Sequence, residues 1–178
     1  MSDASAAISD ASAADEQADL VTLVALARRV QDIFIERGLT LATAESCTGG
    51  LIGHVLTEVP GVSDYYAGGL ISYSNEVKMS GLGVDDHILA THGAVSAQTC
   101  VAMADGARQR FGVSHAISVT GIAGPGGGSD TKPVGLTYVG VADADGHDVR
   151  RNVWQSDRHA NKALSARAAL ELLLERLA

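Results

Sequence analysis

The chain has 178 residues, a formal net charge of −8 and a sequence pI near 5.1. Its 13 lysines and arginines are dispersed, so the sequence predicts no broad surface for nucleic acid, and any anionic ligand must be small and held by local geometry. No apolar run approaches the ~20 residues that cross a bilayer, and no secretory signal is visible. Two cysteines, Cys47 and Cys100, are too few for a disulfide framework and favour a reducing, cytoplasmic location.

Residues 1–16, rich in Ser, Ala and Asp, predict a disordered tail, and residues 17–178 predict one domain. Apolar periodicity and Gly, Pro and Ser boundary residues then predict the elements in chain order. These are a helix from about residue 20 to 37, a strand over 39–44, a helix over 51–59, a strand over 66–73, helices over 75–80 and 96–111, strands over 116–119, 134–142 and 148–154, and a helix over 157–177. Asp145-Gly146 between two of the strands indicates a hairpin. The order predicts an α/β fold with a mixed sheet covered by helices on both faces.

The most informative segment is Ser46-Cys47-Thr48-Gly49-Gly50, which lies between a predicted strand and a predicted helix. Unpaired amides in the first turn of that helix would stabilise an oxyanion formed beside Ser46. The same arrangement suits phosphate binding, and strand-glycine-helix junctions also occur for packing alone.

Two further segments follow predicted strands, where α/β proteins usually build ligand sites. In the first segment, residues 73–78, Lys78 is the candidate base for Ser46, because burial lowers the pKa of a lysine. The alternative is a solvated helix lysine. Tyr73 either relays a proton or packs at the strand end. The second segment is the glycine-dense loop over residues 121–133, whose amides suit a phosphate, with Lys132 adding charge and Thr120 and Ser129 adding hydroxyls. A plain flexible connection is the alternative.

Other polar residues have simpler interpretations. Ser96 most simply caps the following helix, and Cys47 is more simply a packing residue than an anion sensor. Arg158 either reaches a phosphate or is solvated. The histidines show no paired spacing, so we assign no metal site and no cofactor.

Together these segments resemble the CinA C-terminal-domain family, whose characterised members are nicotinamide-nucleotide amidohydrolases. The resemblance covers about Val21 to Leu177. It is carried by four ordered motifs: Ala44-Glu45-Ser46-Cys47-Thr48-Gly49-Gly50, Tyr73-Ser74-Asn75-Glu76-Val77-Lys78, His92-Gly93-Ala94-Val95-Ser96, and Gly121-Ile122-Ala123-Gly124-Pro125 with Gly127-Gly128-Ser129 and Lys132-Pro133-Val134-Gly135.

The resemblance implies a three-layer α/β/α sandwich with a mixed, mostly parallel five-stranded sheet. It also implies hydrolysis of nicotinamide mononucleotide to nicotinate mononucleotide and ammonia, without a metal, in a homo-oligomer for which a dimer is the expected form. The catalytic residues would be Ser46, Lys78 and Tyr73. The remaining expected site residues are Thr48, Gly49, Gly50 and Thr120 for the oxyanion and substrate, and Gly124, Gly127, Gly128, Ser129, Lys132 and Arg158 for the phosphate.

Two departures from the family pattern bear on function. Asn161-Lys162 stands where family members often carry a second arginine, and lysine does not reproduce a bidentate phosphate grip. The large N-terminal domain of many relatives is absent, so a stand-alone form is expected. Two alternative functions stay open: a nucleotide-sensing module without turnover, and an amidase of another small phosphorylated amide.

Overall fold

The structure, a computed structural model, describes residues 20–178 with their side chains. The helices are α1 (Asp3–Arg37), α2 (Leu51–Thr57), α3 (Asn75–Leu82), α4 (Asp86–His92), α5 (Ala97–Phe111) and α6 (Arg158–Arg176), with a 3-10 turn over Val62–Asp64. The strands are β1 (Leu41–Glu45), β2 (Tyr66–Ile71), β3 (His115–Gly121), β4 (Leu136–Asp143) and β5 (Gly146–Val153). Helix α1 begins within the predicted tail over residues 1–16, whose side chains lie outside the described part of the chain. The disordered tail and the single domain over 17–178 both stay predictions.

The five strands form one sheet in the order β2-β1-β3-β4-β5. β1 pairs in parallel with both β2 and β3, whereas β4 is antiparallel to both of its neighbours. Four of the five strands therefore run in the same direction, which confirms the mixed, mostly parallel sheet. Every residue of β1 is buried, as expected of a central strand covered on both faces.

The helices cover the two faces of the sheet unequally. On one face, α1, α2 and α6 enclose the larger apolar cluster, which includes Phe34, Leu56, Ile117 and Leu173. On the other face, α3, α4 and α5 enclose a smaller cluster around Met103. This arrangement confirms the three-layer α/β/α architecture.

Within the described part of the chain, no helix combines the length and apolar character that a membrane span requires.

Helix α4 is the one α-helix of the described residues that the sequence pattern did not indicate, and the 3-10 turn over Val62–Asp64 was not indicated either. Helix α4 is short, and Asp85 caps it by accepting a hydrogen bond from the amide of His87 at 2.7 Å. The predicted capping role of Ser96 is confirmed, because its hydroxyl accepts from the amide of Thr99 at 3.1 Å.

A close approach between α3 and α5 depends on Gly106. A Cβ atom at this position would collide with the carbonyl oxygen of Leu82, the last residue of α3. Glycine therefore lets the backbone of α5 lie against the end of α3. The contact matters for the site because α3 carries Lys78.

A charged network ties the end of α6 to the hairpin between β4 and β5. Arg176 donates to both oxygens of Asp143, at 2.6 and 2.7 Å, and to Asp148 at 2.6 Å. The hydrogen bonds from Arg176 lower the pKa of Asp143 from 3.8 to about 2. Because this pKa is lower in the folded state, the interaction stabilises the protein above about pH 4 and is lost as the pH falls towards 2.

We therefore expect Asp143→Asn to lower the free energy of unfolding near neutral pH by about 2 kcal/mol, the equivalent of the pKa difference. Urea unfolding at a series of pH values measures the effect, with Asp130→Asn, an exposed loop carboxylate, as the matched control. The wild type should lose this increment between pH 4 and 2, and the variant should not. Equal stability of the wild type and Asp143→Asn at pH 7 would show that the charged network contributes nothing.

Candidate active site

The candidate site lies where β1 and β2 end. These strands are parallel neighbours, so their carboxyl ends meet at one edge of the sheet, the usual position of ligand sites in α/β folds. Ser46 directly follows β1, and its amide donates to the carbonyl of Val119 in β3 at 2.9 Å. Ser72 and Tyr73 directly follow β2, and the Ser72 amide donates to the carbonyl of Glu45 at 2.7 Å.

Lys78 reaches Ser46 from helix α3. The hydroxyl of Ser74 caps this helix by accepting from the amide of Val77 at 3.2 Å. One turn later, the Nζ atom of Lys78 lies 3.1 Å from the Oγ atom of Ser46. It also donates to the carbonyls of Ser72 and Tyr73, at 2.6 and 3.3 Å. The structure therefore places the predicted base directly against the predicted nucleophile.

Lys78 is 1% exposed and is surrounded by oxygen atoms that carry no full charge. Burial lowers its pKa below the ordinary 10.5. The adjacent Cys47 is also buried, which raises the pKa of its thiol to about 11. Burial thus disfavours the ammonium form of Lys78 and the thiolate form of Cys47, the latter in agreement with the packing role predicted for Cys47.

Tyr73 and Arg158 meet at the side of the site that faces solvent. The guanidinium of Arg158, at the start of α6, donates to the carbonyl of Gly124 at 2.8 Å and to the hydroxyl of Tyr73 at 3.4 Å. Tyr73 is 62% exposed. Its carbonyl contacts Lys78, whereas its hydroxyl contacts Arg158, so the arrangement supports direct proton transfer between Ser46 and Lys78 better than transfer through the phenol.

A cleft of about 240 Å³ opens above Ser46 and Lys78. Its walls are residues 94–95 before α5, the end of β3, the start of the glycine-dense loop, and Arg158. Seven predicted site residues thus line one cavity: Ser46, Tyr73, Lys78, Thr120, Gly124, Gly127 and Arg158. The other six, Thr48, Gly49, Gly50, Gly128, Ser129 and Lys132, lie outside this lining.

The expectation of unpaired amides in the first turn of α2 is wrong. The carboxylate of Glu45 accepts hydrogen bonds from the amides of Gly50, Ile52 and Gly53, at 2.9, 3.1 and 2.9 Å. The amide of Gly49 donates to the carbonyl of Ser46 at 3.1 Å. Glycines 49 and 50 are therefore already paired and do not supply the expected oxyanion donors.

The predicted phosphate role of Lys132 is also at variance with its contacts. Its Nζ atom donates to the carbonyl of His92 at the end of α4, at 2.7 Å, where the helix dipole favours a cation. Its backbone forms a turn with Ser129, whose amide donates to the Lys132 carbonyl at 2.8 Å. Both residues therefore shape the far end of the loop, and neither lines the cleft.

Glu45 and Asn161 are polar residues of the site region to which sequence reasoning assigned no role. The Asn161 amide group donates to the carbonyls of Ala123 and Ser156, both at 3.0 Å, and so joins α6 to the start of the glycine-dense loop. Asn161 is buried, as is Glu45. The feature that could have identified Glu45 is a charged residue at the end of a strand that is buried throughout.

Among the residues with described side chains, no cluster of three or more His, Cys, Asp or Glu could hold a metal ion.

The fold and the site define an α/β protein with a serine and a buried lysine paired at the carboxyl edge of its sheet. The chain belongs to the CinA C-terminal domain family, whose model matches residues 23–177. A CinA-like protein of Salinibacter ruber is 51% identical over 140 residues, which are 79% of this chain and 34% of that protein. A CinA-like protein of Synechocystis is 50% identical over 145 residues, 80% of this chain and 35% of that protein.

This chain thus spans about a third of the length of these curated relatives. Its likeness to a solved structure is more complete. The competence/damage inducible protein CihA from Agrobacterium tumefaciens has a TM-score of 0.84 and 42% sequence identity, and the match covers 86% of this chain and 94% of that one. The family and the fold expected from the four motifs are therefore confirmed. The expected dimer and cytoplasmic location stay predictions.

Thr120 provides a test of how the cleft is built. Its hydroxyl donates to the carbonyl of Ala94 at 2.7 Å, although it was expected to contact the substrate. We expect Thr120→Val to lower the free energy of unfolding by about 1–3 kcal/mol, because the partly buried carbonyl loses its donor. Chemical denaturation measures this, with the exposed Thr91→Val as control. Unchanged stability would instead indicate that the hydroxyl is free to serve the substrate.

Proposed function

We propose that this protein hydrolyses the carboxamide of nicotinamide mononucleotide to nicotinate mononucleotide and ammonia. The observation that carries the proposal is the 3.1 Å contact between the Oγ atom of Ser46 and the Nζ atom of the buried Lys78, at the base of an open cleft. The glycine-dense loop and Arg158 in the same cleft favour a phosphorylated substrate. Membership of the family supports the choice of this nucleotide.

Proton transfer follows from the hydrogen bonds of Lys78. A neutral amine has two N–H donors and one lone pair, and the carbonyls of Ser72 and Tyr73 accept the two donors. The lone pair is then directed to Ser46, whose hydroxyl donates its proton to Nζ. Loss of that proton makes the Oγ atom a nucleophile for the amide carbon.

The developing oxyanion needs donors other than the occupied amides of α2. The amides of Cys47 and Thr48 are the nearest candidates in sequence to the nucleophile, and no backbone carbonyl of the described residues accepts from either. The residue after a nucleophile supplies such a donor in other serine hydrolases. Cys47 lines the cleft, whereas Thr48 is fully buried and lies outside its lining. We therefore assign oxyanion stabilisation to the amide of Cys47, in place of those of Thr48, Gly49 and Gly50.

The remaining steps return every group to its starting state. The protonated Lys78 gives its proton to the leaving nitrogen, so ammonia departs and an ester forms on Ser46. Water then attacks the ester carbon and gives a proton to Lys78. The Oγ atom of Ser46 leaves as the ester bond breaks and recovers that proton, releasing nicotinate mononucleotide.

The first experiment measures ammonia release from nicotinamide mononucleotide by the purified protein. We expect turnover by the wild type and a loss of at least about 10³-fold in Ser46→Ala. Nicotinamide riboside, which lacks the phosphate, should be a much poorer substrate. Release from the riboside at an equal rate would favour an amidase of another amide. No release from a folded protein would favour a sensing module.

The lowered pKa of Lys78 predicts the pH dependence of turnover. The protonated amine has no lone pair, so kcat/KM should rise with pH as Lys78 loses its proton, with a midpoint below 10.5. Lys78→Arg should be inactive throughout the range, because a guanidinium stays protonated. A pH profile that lacks this ascending limb, or activity retained in Lys78→Arg, would contradict the assignment of the base.

Arg158 provides a separate test of phosphate recognition. Arg158→Lys should raise KM for nicotinamide mononucleotide by about 10-fold, because an ammonium does not reproduce the planar fork that binds phosphate in a bidentate manner. KM for the riboside should be unchanged. Arg151→Lys, at an exposed position of β5, is the control. If KM rises equally for both substrates, Arg158 shapes the cleft and does not bind the phosphate.

A further inference from the structure

Glu45 is a carboxylate in a position where an ionised group is costly. It is the last residue of β1 and is 2% exposed. A buried charge of this kind requires hydrogen bonds to offset the loss of water. Among the described residues, no Lys, Arg or His forms an ion pair with it. Its stabilisation must therefore come from hydrogen-bond donors in the residues that follow Ser46.

Four donors converge on this side chain, and all of them follow Ser46 within a few residues. The Oε2 atom accepts from the hydroxyl of Thr48 at 2.7 Å and from the amides of Gly50 and Ile52. The Oε1 atom accepts from the amide of Gly53 at 2.9 Å. A carboxylate that accepts several such bonds is held more firmly than neutral groups would be.

The backbone of Glu45 is fixed as firmly as its side chain. Glu45 is paired with Ile71 in β2 and with Val119 in β3. Its own carbonyl accepts from the amide of Ser72 at 2.7 Å. The residue therefore joins the sheet to the first turn of α2, and Ser46 lies in the short connection between these two fixed points.

We propose that Glu45 is a positioning residue, which holds Ser46 against Lys78 by joining the sheet to helix α2 through four hydrogen bonds. The inference rests on the proposed function only in taking Ser46 as the nucleophile. Glu45 contacts neither Lys78 nor the Oγ atom of Ser46 among its hydrogen bonds, so it takes no part in proton transfer. Its effect should appear in the rate of attack, without a change in substrate binding or in the pKa of the base.

The test measures the reactivity of Ser46 without the nucleotide. Phenylmethanesulfonyl fluoride reacts with an activated serine: an Oγ–sulfur bond forms, fluoride leaves, and the hydroxyl proton passes to Lys78. Intact mass spectrometry gives the labelling rate, and Ser46→Ala identifies the labelled position. Rates are expressed per folded molecule, from circular dichroism and thermal unfolding of each variant.

Two substitutions of Glu45 distinguish hydrogen bonding from a general effect on folding. Glu45→Gln keeps an oxygen for three of the donors but turns its amide group towards the amide of Gly53. Glu45→Ala removes all four bonds. We expect the labelling rate to fall about 10-fold in the first variant and about 100-fold in the second, since small displacements of a reacting atom have effects of this size.

Glu58→Gln is the matched control, because Glu58 is exposed and lies at the opposite end of the same helix. It should label at the wild-type rate. The pH midpoint of labelling should be the same in wild type and Glu45→Gln, and KM for the nucleotide should be unchanged where turnover is measurable. These two readouts separate a positioning residue from an acid–base group and from a substrate ligand.

Each other outcome has one meaning. Labelling of Glu45→Gln at the wild-type rate per folded molecule overturns the proposal, because Glu45 then affects only stability. A shifted pH midpoint also overturns it, in favour of a role in proton transfer. Lack of labelling at Ser46 in the wild type also overturns it, because Ser46 is then not an activated nucleophile. Labelling without ammonia release from nicotinamide mononucleotide contradicts the proposed function alone, and the relative labelling rates still decide the role of Glu45.

Discussion

The buried amine of Lys78 is the group around which the rest of the site is arranged. An ammonium ion removed from water is costly, and its neighbours here are a hydroxyl and two carbonyls without a compensating carboxylate. In the neutral form that the proposed function requires, two N–H groups donate to the carbonyls and the lone pair accepts from the hydroxyl of Ser46. Burial disfavours the charged form that a lysine has in solvent, and the proposed role of Lys78 as a base depends on that.

Keeping the amine in this position requires contributions from distant parts of the sequence. The parallel pairing of β1 with β2 brings Ser46 and the carbonyls of Ser72 and Tyr73 to the same edge of the sheet. Gly106 allows α5 to support the end of the helix that carries Lys78. The serine–lysine contact is therefore a consequence of sheet topology and helix packing, and it does not depend on a flexible loop.

The sequence predicted the order of the elements because strand and helix periodicities were clear and Gly, Pro and Ser marked most boundaries. Helix α4 was not predicted because it is short and has a single buried apolar residue, Leu89, which is too few to show a helical periodicity. The pairing of Ser46 with Lys78 was predicted from family motifs. The contacts of Lys132 and of the α2 amides were not predicted. Lys132 donates to a carbonyl 40 residues away, and the amides donate to a carboxylate whose direction only the folded turn determines.

The charge of the cleft gives a further reason to separate the roles of its two basic residues. Among the described residues that line it, the ionisable cations are Lys78 and Arg158. If Lys78 is neutral in the resting state, Arg158 carries the positive charge that faces a phosphate, in a protein whose net charge is −8. Long-range attraction of an anion is then weak, and the proposed phosphate recognition would depend on loop amides and one guanidinium at short range. In the proposed mechanism Lys78 becomes protonated as Ser46 attacks, and its charge then lies beside the oxyanion. The same amine that is neutral for substrate binding would then stabilise the intermediate.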